Sequence, residues 1–253
     1  MNILTKQSLS SLKQWYADAR EHGAIIFIDK EISWTSFDVV AKLRRIVGIK
    51  KIGHAGTLDP LATGLLIVCI ARQATKLIST YQNSHKAYVT TIKLGASTVS
   101  FDAETPESVF AEIPPHLNEE IIREVLNTFI GYTKQTPPMY SALKKNGVPM
   151  YHKARKGIQV EIEPRDIHIE YITLDAFDGI HVTITVQCSK GTYVRSLARD
   201  IAEQLGTVGY VTALRRISSG EFSVEDAVNI REFEQAMHVM QAEEFQSLDI
   251  TAE

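Results

Sequence analysis

The sequence predicts an α+β fold in which a mixed, largely antiparallel sheet is flanked by helices. In residues 180–188 the apolar side chains stand at every second position, which is typical of a half-buried strand. Asp178 and Gly179 precede this strand and favour the turn of a hairpin with residues 167–174. Predicted helices and strands do not alternate strictly along the chain, which argues against a doubly wound parallel sheet.

The first half of the chain contains three predicted strands and one predicted helix. Residues 24–28 and 65–70 are short apolar runs that predict buried strands, and residues 86–94 alternate as a half-buried strand does. Thr35 and Asp38 have the spacing of a variant capping box, which predicts the start of a helix. The apolar residues that recur at helical spacing in this helix are expected to face the core: Phe37, Val40, Leu43 and Val47.

Two more helices are predicted further along the chain. Asn118 can cap a helix that ends at Gly131, and residues 194–205 show helical periodicity before Gly206. The acidic residues 221–253 are expected to form short helices packed on the core or a solvated end.

The composition excludes several classes of protein. With 253 residues, 44% of them hydrophobic and 23% charged, the chain can bury a large core and is neither disordered nor fibrous. Its longest apolar run is strand-sized and its N-terminus lacks the pattern of a secretory signal, so no membrane association is expected. Cys69 and Cys188 lie in apolar stretches, which predicts buried thiols in a cytoplasmic protein.

The net charge of −3 hides an uneven distribution of charge. Residues 221–253 hold nine acids and one base, so residues 1–220 carry a net charge of +5. Residues 131–160 contain six bases, three tyrosines and no acid. Bases for phosphates and aromatic rings for stacking describe a surface for single-stranded or looped nucleic acid, although a solvated loop has the same composition.

Residues 53–64 read GHAGTLDPLATG and stand out from the rest of the chain. Three glycines, one histidine and one acid in twelve residues predict a loop with unusual backbone angles or one that another molecule approaches closely. Asp59 before Pro60 is also compatible with nothing more than a helix N-cap followed by proline at the first helical position. Neither a phosphate-binding loop nor a dinucleotide fingerprint fits these residues.

This loop closely resembles the catalytic motif of TruB-type tRNA pseudouridine synthases, which act on a uridine in the T loop of tRNA. The resemblance implies the pseudouridine synthase fold with a central catalytic cleft, and an ordered set of motifs is more specific than any one of them. Further segments resemble motifs of the same family in the same order, and together they span residues 24–220: residues 35–40, 74–76, 86–88, 139–157, 188–195 and 214–216.

The resemblance also implies a division of the chain. Residues 24–220 form the catalytic domain, and residues 131–160 within it form an RNA-binding thumb insertion. Residues 1–23 are then an N-terminal accessory segment, and residues 221–253 an acidic C-terminal tail.

The resemblance assigns Asp59 as the catalytic carboxylate, which acts on the sugar or the base of the target uridine. A carboxylate in a dry pocket stays ionised only beside a cation, and Arg195 occupies the family's position for that partner. Tyr88 would stack on the target base and assist proton removal. His54 would lie near the flipped nucleotide, and the pocket would be lined by two further residues, Tyr193 and Leu214.

Without the resemblance, these residues have simpler interpretations. Tyr88 and Leu214 are compatible with ordinary core positions, and His54 with a surface loop. Arg195 is compatible with a surface base, although a cation there conflicts with the dipole at a helix N-terminus. The predicted RNA-binding residues of the thumb are Lys144, Lys145, Arg155 and Lys156.

The implied reaction is an isomerisation, so no cofactor and no metal are expected. The eight histidines show no zinc-ligand spacing. The expected partner is the T stem-loop of tRNA, with no obligatory protein partner. Residues 30–33 depart from the family's Lys-Pro-x-Gly, and the 33 residues after Gly220 predict a short form without a C-terminal PUA domain. A tRNA folding chaperone, or a pseudouridine synthase for another structured RNA, remains an alternative.

Overall fold

The computed structural model describes residues 1–141, 144–145, 148–150 and 162–250. These residues divide into two compact units. The first unit contains residues 1–84 and those from 215 onward, and the second contains residues 85–214.

The elements of the described residues are numbered in chain order. The helices are α1 (Leu12–Glu21), α2 (Ser36–Val47), α3 (Ala71–Thr75), α4 (Ile78–Gln82), α5 (Glu119–Asn127), α6 (Val194–Gln204) and α7 (Ile230–Ile250). The strands are β1 (Asn2–Leu4), β2 (Ala24–Lys30), β3 (Ile52–His54), β4 (Thr63–Ile70), β5 (Lys86–Leu94), β6 (Ala96–Thr98), β7 (Glu107–Phe110), β8 (Gly131–Gln135), β9 (Lys144–Lys145), β10 (Val148–Pro149), β11 (Arg165–Phe177), β12 (His181–Cys188), β13 (Gly209–Ser219), β14 (Phe222–Ser223) and β15 (Val228–Asn229).

The first unit is built on a mixed sheet with β2 and β4 at its centre. These two strands pair antiparallel, β2 also pairs parallel with β1 and β15, and β4 pairs antiparallel with β3. Arg215 and Arg216 of β13 pair parallel with Thr63 and Gly64 of β4. Both central strands are buried along almost their whole length, which explains their continuous apolar sequences.

One face of this sheet is covered by α1, α2 and α7, whose apolar side chains share a single hydrophobic cluster. In that cluster the ring of Trp15 meets Phe233 edge-on at 5.7 Å between ring centroids, and Trp15 Nε1 donates to the Ile25 carbonyl at 2.9 Å. The expectation of short helices in the acidic tail is wrong, because α7 is 21 residues long. Its buried Phe233 and Met237 tie it to the core.

The second unit contains an antiparallel sheet in the order β5, β12, β11 and β8, with β13 beside β5. Helices α5 and α6 bury apolar side chains in this unit. The predicted hairpin is confirmed as β11 and β12: Asp178 Oδ1 accepts from the backbone N–H groups of Ile180 (3.0 Å) and His181 (2.7 Å). Mostly antiparallel strands with flanking helices confirm the predicted α+β class.

Helix α2 confirms one prediction and corrects another. The capping box is formed by Thr35 N donating to Asp38 Oδ2 (2.8 Å) and Asp38 N donating to Thr35 Oγ1 (3.0 Å). The prediction that Phe37 faces the core is wrong, since its side chain is 63% exposed. The Arg44 guanidinium lies 5.7 Å from the ring centroid of Phe37, and Val39 takes its place on the buried face.

The predicted end of α5 is also wrong. Asn118 caps this helix by accepting from Ile121 N at 3.0 Å, as expected, but the helix ends at Asn127. Gly131 is instead the first residue of β8, where it adopts a φ of 101°.

Cys69 and Cys188 are buried, as predicted. Burial raises the pKa of each thiol to about 11, so both stay protonated at neutral pH. None of the described helices is long and apolar enough to cross a membrane.

Candidate active site

The loop of residues 53–64 runs from β3 to β4 in the first unit, and Asp59 lies half-buried within it. The backbone on both sides of Asp59 is fixed by the segment that leads into α2. Ser36 Oγ accepts from Leu58 N at 2.8 Å and donates to Leu58 O at 3.2 Å, and Ser33 N donates to Pro60 O at 2.8 Å. No helix follows Asp59 in residues 60–62, so the alternative of a helix N-cap is wrong.

Arg216 holds this loop through hydrogen bonds to one of its backbone carbonyl groups and to that of the residue that follows it. The sequence motifs did not reveal that role. Its side chain is buried, with Nε donating to Leu65 O at 2.7 Å and Nη2 to Gly56 O at 3.3 Å. Gly64 adopts a φ of 100°, and a Cβ there would lie 2.3 Å from the Arg216 carbonyl oxygen. Glycine is therefore required at this point of the loop.

His54 is the last residue of β3 and is half-buried at the base of the loop. Burial lowers the pKa of its imidazole, and the charge of Arg216 lowers it further, against a weaker opposing contact with the Gly56 backbone. The ring is consequently neutral at pH 7. The interpretation of His54 as a simple surface residue is wrong.

Arg195 is the second residue of α6 in the second unit and is only 5% exposed, so the interpretation as a surface base is wrong. Its Nη1 donates to Ser100 O at 3.0 Å and lies 3.3 Å from Asp102 Oδ2, while Nη2 donates to Tyr140 O at 2.8 Å. A carboxylate near the start of α6 offsets the conflict between the cation and the helix dipole.

Asp102 is a residue that the sequence interpretation missed. It is 1% exposed, and its Oδ1 accepts from Ser100 Oγ at 2.5 Å and from Glu104 N at 3.0 Å. Because hydrogen bonds hold the carboxylate from one side, its other oxygen is directed at Arg195. No local motif marks this aspartate, and only the fold brings residues 102 and 195 together.

Tyr193 directly precedes α6 and is fixed through its backbone. Gln135, at the end of β8, accepts from Tyr193 N at 2.8 Å and donates to Tyr193 O at 3.1 Å through the two ends of its buried amide. Tyr88 is half-buried on β5 opposite Val186, and Leu214 is buried on β13. The structure thus places all three residues, with Arg195, in the second unit.

The sequence-predicted site residues fall into two groups. Asp59 and His54 belong to the first unit, and the pairing of Asp59 with Arg195 stays a prediction that joins the two units. In the segment predicted to form the thumb, Lys144 and Lys145 form β9, which pairs with β10, but the described structure does not extend to their side chains. Arg155 and Lys156 lie outside the described residues.

Two family models match the chain in succession. The model described as TruB family pseudouridylate synthase (N terminal domain) matches residues 44–194, and the tRNA pseudouridylate synthase B C-terminal domain matches residues 195–250. With the α+β fold and the aspartate loop, these matches define a pseudouridine synthase, an enzyme that isomerises uridine in RNA. The chain belongs to the TruB family of these enzymes.

Curated relatives agree with this assignment. A protein of Desulfotalea psychrophila named tRNA pseudouridine synthase B is 47% identical over 211 residues, covering 81% of this chain and 85% of the relative. A protein of the same name from Phocaeicola vulgatus is 42% identical over 231 residues, covering 88% of this chain and 97% of the relative.

Solved structures share the fold. A chain in the crystal structure of a Cbf5–Nop10–Gar1 complex has a TM-score of 0.67 and 27% identity, covering 87% of this chain and 56% of that one. A chain in the archaeal box H/ACA sRNP Nop10–Cbf5 complex has a TM-score of 0.65 and 26% identity, covering 91% of this chain and 57% of the other. The chain therefore spans a little over half of each solved chain.

Proposed function

We propose that the protein converts a uridine in the T loop of tRNA, uridine 55, to pseudouridine in the cytoplasm. The observation that carries the proposal is the fixed backbone of the aspartate loop. Ser36 and Ser33 form hydrogen bonds to the residues on either side of Asp59, and Arg216 donates to the Gly56 carbonyl of the same loop. Membership of the TruB family supplies the reaction, and relatives named tRNA pseudouridine synthase B support tRNA as its substrate.

The isomerisation breaks the bond from uracil N1 to the ribose, turns the base and joins its C5 to the same ribose carbon. The C5 proton leaves and N1 gains a proton, so the atoms balance without an oxidant, a reductant or a nucleotide. In this proposal the Asp59 carboxylate acts on the sugar or the base, and Arg195 is the cation that keeps it ionised. Ser100, Asp102 and Tyr140 hold the guanidinium of Arg195 in place for this role.

The other predicted residues receive the base. Tyr88 stacks on the uracil ring, and its hydroxyl assists removal of the C5 proton. His54 lies beside the flipped nucleotide as a neutral imidazole, and Tyr193 and Leu214 line the pocket. Extrusion of a stacked base costs a few kcal/mol, and contacts of the basic thumb with the tRNA phosphates offset that cost.

The proposal is tested with purified protein and an unmodified tRNA transcript, without added cofactor. Wild-type protein should form pseudouridine at position 55, and a transcript with cytidine at that position should remain unmodified. Asp59→Asn should abolish the reaction and keep tRNA binding, because the substitution preserves the shape of the loop. A wild-type protein that binds tRNA without isomerising any uridine would contradict the proposal and favour a folding chaperone.

Pseudouridine mapped in total RNA from cells with and without the protein tests the choice of substrate. Loss of the modification at position 55 of tRNAs supports the proposal. Loss confined to another structured RNA would contradict it and favour the alternative substrate.

A further inference from the structure

An organised row of rings lies on the surface of the second unit. It consists of Tyr132 on β8, His168 on β11 and His85 immediately before β5. The ring centroids of Tyr132 and His168 are 4.5 Å apart, and those of His168 and His85 are 6.5 Å apart. We call these three residues the ring row.

The ring row contributes little to the folded core. Tyr132 is 88% exposed, so its ring gains almost nothing from burial on folding. Single exposed aromatic residues are common on protein surfaces, but three rings in contact across several strands form an ordered surface. Such a surface resembles the sheets on which RNA-binding proteins stack unpaired bases.

Hydrogen bonds hold two of the three residues in place, His85 through its ring and His168 through its backbone. Glu170 Oε2 lies 3.0 Å from His85 Nδ1 and accepts from Gln187 Nε2 at 2.8 Å. His168 donates its backbone N–H to Ser189 Oγ at 2.9 Å and accepts at its carbonyl from Ser189 N at 2.8 Å. A pre-ordered surface loses less conformational entropy when a ligand binds.

Two lysines and two acids accompany the ring row. Lys134 follows Tyr132 by two positions on β8 and is exposed on the same face, and Lys190 is exposed directly after Ser189. Two acids share the surface: Asp166 lies opposite Lys134 in the strand register, and Glu170 holds His85. The charges are nearly balanced, so stacking, rather than phosphate attraction, dominates recognition at this surface.

We infer that the ring row stacks unpaired nucleotides of the tRNA substrate, outside the pocket that receives the target uridine. This inference rests on the proposed function for the identity of the RNA. Tyr132 and Lys134 belong to the segment of six bases and no acid, residues 131–160, and are the tyrosine and the base of that segment that lie on β8. The ring row therefore continues the predicted RNA-binding thumb onto the sheet.

The test compares tRNA binding by full-length variants that retain the wild-type circular dichroism spectrum. Tyr132→Ala should weaken binding of the unmodified transcript about fivefold to a hundredfold, the usual effect of removing one stacked ring. Tyr132→Phe should bind like wild type, because it keeps the ring. Phe110→Ala is the matched control: Phe110 is 70% exposed but lies on β7, in a separate two-stranded sheet, and its loss should leave binding unchanged.

Salt dependence separates stacking from phosphate contact. The fold-loss caused by Tyr132→Ala should be similar at low and high salt, whereas the fold-loss caused by Lys134→Ala should shrink as salt rises. Tyr132→Ala should also raise the tRNA concentration that gives half-maximal turnover, by about the same factor as its loss of binding.

Equal binding by wild type and Tyr132→Ala would overturn the inference, even if wild type makes pseudouridine as proposed. A wild-type dimer that Tyr132→Ala dissociates would also overturn it, because the ring row would then be a protein interface. Failure of wild type to isomerise any uridine would contradict the proposed function, while the binding comparison would still decide whether the ring row binds tRNA.

Discussion

The buried pair of Asp102 and Arg195 makes a strong prediction about stability. At an effective dielectric constant of about 20, two charges separated by the 3.3 Å between Arg195 Nη1 and Asp102 Oδ2 attract by about 5 kcal/mol. Removing one member of a buried pair typically costs about 3 to 5 kcal/mol, since the remaining charge is stranded. Arg195 keeps the Ser100 and Tyr140 carbonyls as acceptors, so Asp102→Asn should lower the free energy of unfolding by about 3 kcal/mol.

The measurement is chemical denaturation of wild type and Asp102→Asn, followed by pseudouridine formation under conditions where both are folded. Asparagine keeps an oxygen for Ser100 and Glu104, so the comparison isolates the lost charge. Asp175→Asn is the control, because Asp175 is exposed and should change the free energy of unfolding by no more than about 0.5 kcal/mol. Turnover should fall more than tRNA affinity. A loss of stability below about 1 kcal/mol in Asp102→Asn would refute the claim that this carboxylate holds Arg195.

Two further predictions concern the loop and a turn. Gly64→Ala should lower the free energy of unfolding by about 2 kcal/mol or more, because its Cβ would lie 2.3 Å from the Arg216 carbonyl oxygen at a φ of 100°. Gly48→Ala carries the strain of a positive φ without that clash, so a denaturation series in which both variants lose equal stability would contradict the packing argument. Asp178 has its pKa lowered to about 2 by hydrogen bonds from the His181 and Ile180 backbone and from the His181 side chain. Its stabilising contribution should therefore be complete above its usual pKa of 3.8 and lost as the pH falls towards 2. The free energy of unfolding, measured against pH, should be higher for wild type than for Asp178→Ala near neutral pH, and this difference should disappear in that range. A difference that stays constant down to pH 2 would show that it does not come from the ionised Asp178 carboxylate.

Local signals in the sequence were enough to predict the elements that local hydrogen bonds define. The capping box of Thr35 and Asp38 and the turn at Asp178 each involve residues three positions apart or fewer, so their spacing is visible in the chain. Phe37 shows where the same reasoning fails. Helical spacing cannot tell whether the first turn of α2 reaches the core, and a cation beside the ring makes an exposed position tolerable.

The parts of the candidate site that could be predicted are those that lie within continuous sequence motifs. The loop around Asp59 and the position of Arg195 could be identified by resemblance, but their supports could not. Asp102 and Gln135 act through residues far away in the chain, and each is an ordinary polar residue in sequence. Their importance arises only from burial, which the folded chain determines.

The first unit contains both the beginning and the last described part of the chain, and this has a consequence for folding during synthesis. Trp15 of α1 and Phe233 of α7 meet in one core, so the first unit cannot complete its core until the ribosome has made α7. The second unit is an unbroken stretch, residues 85–214, and all its strand partners have been synthesised before that point. The second unit can therefore finish folding before α7 is available to pack against residues 1–84. During this interval the apolar faces of β2 and β4 are uncovered, and the chain is most prone to aggregate.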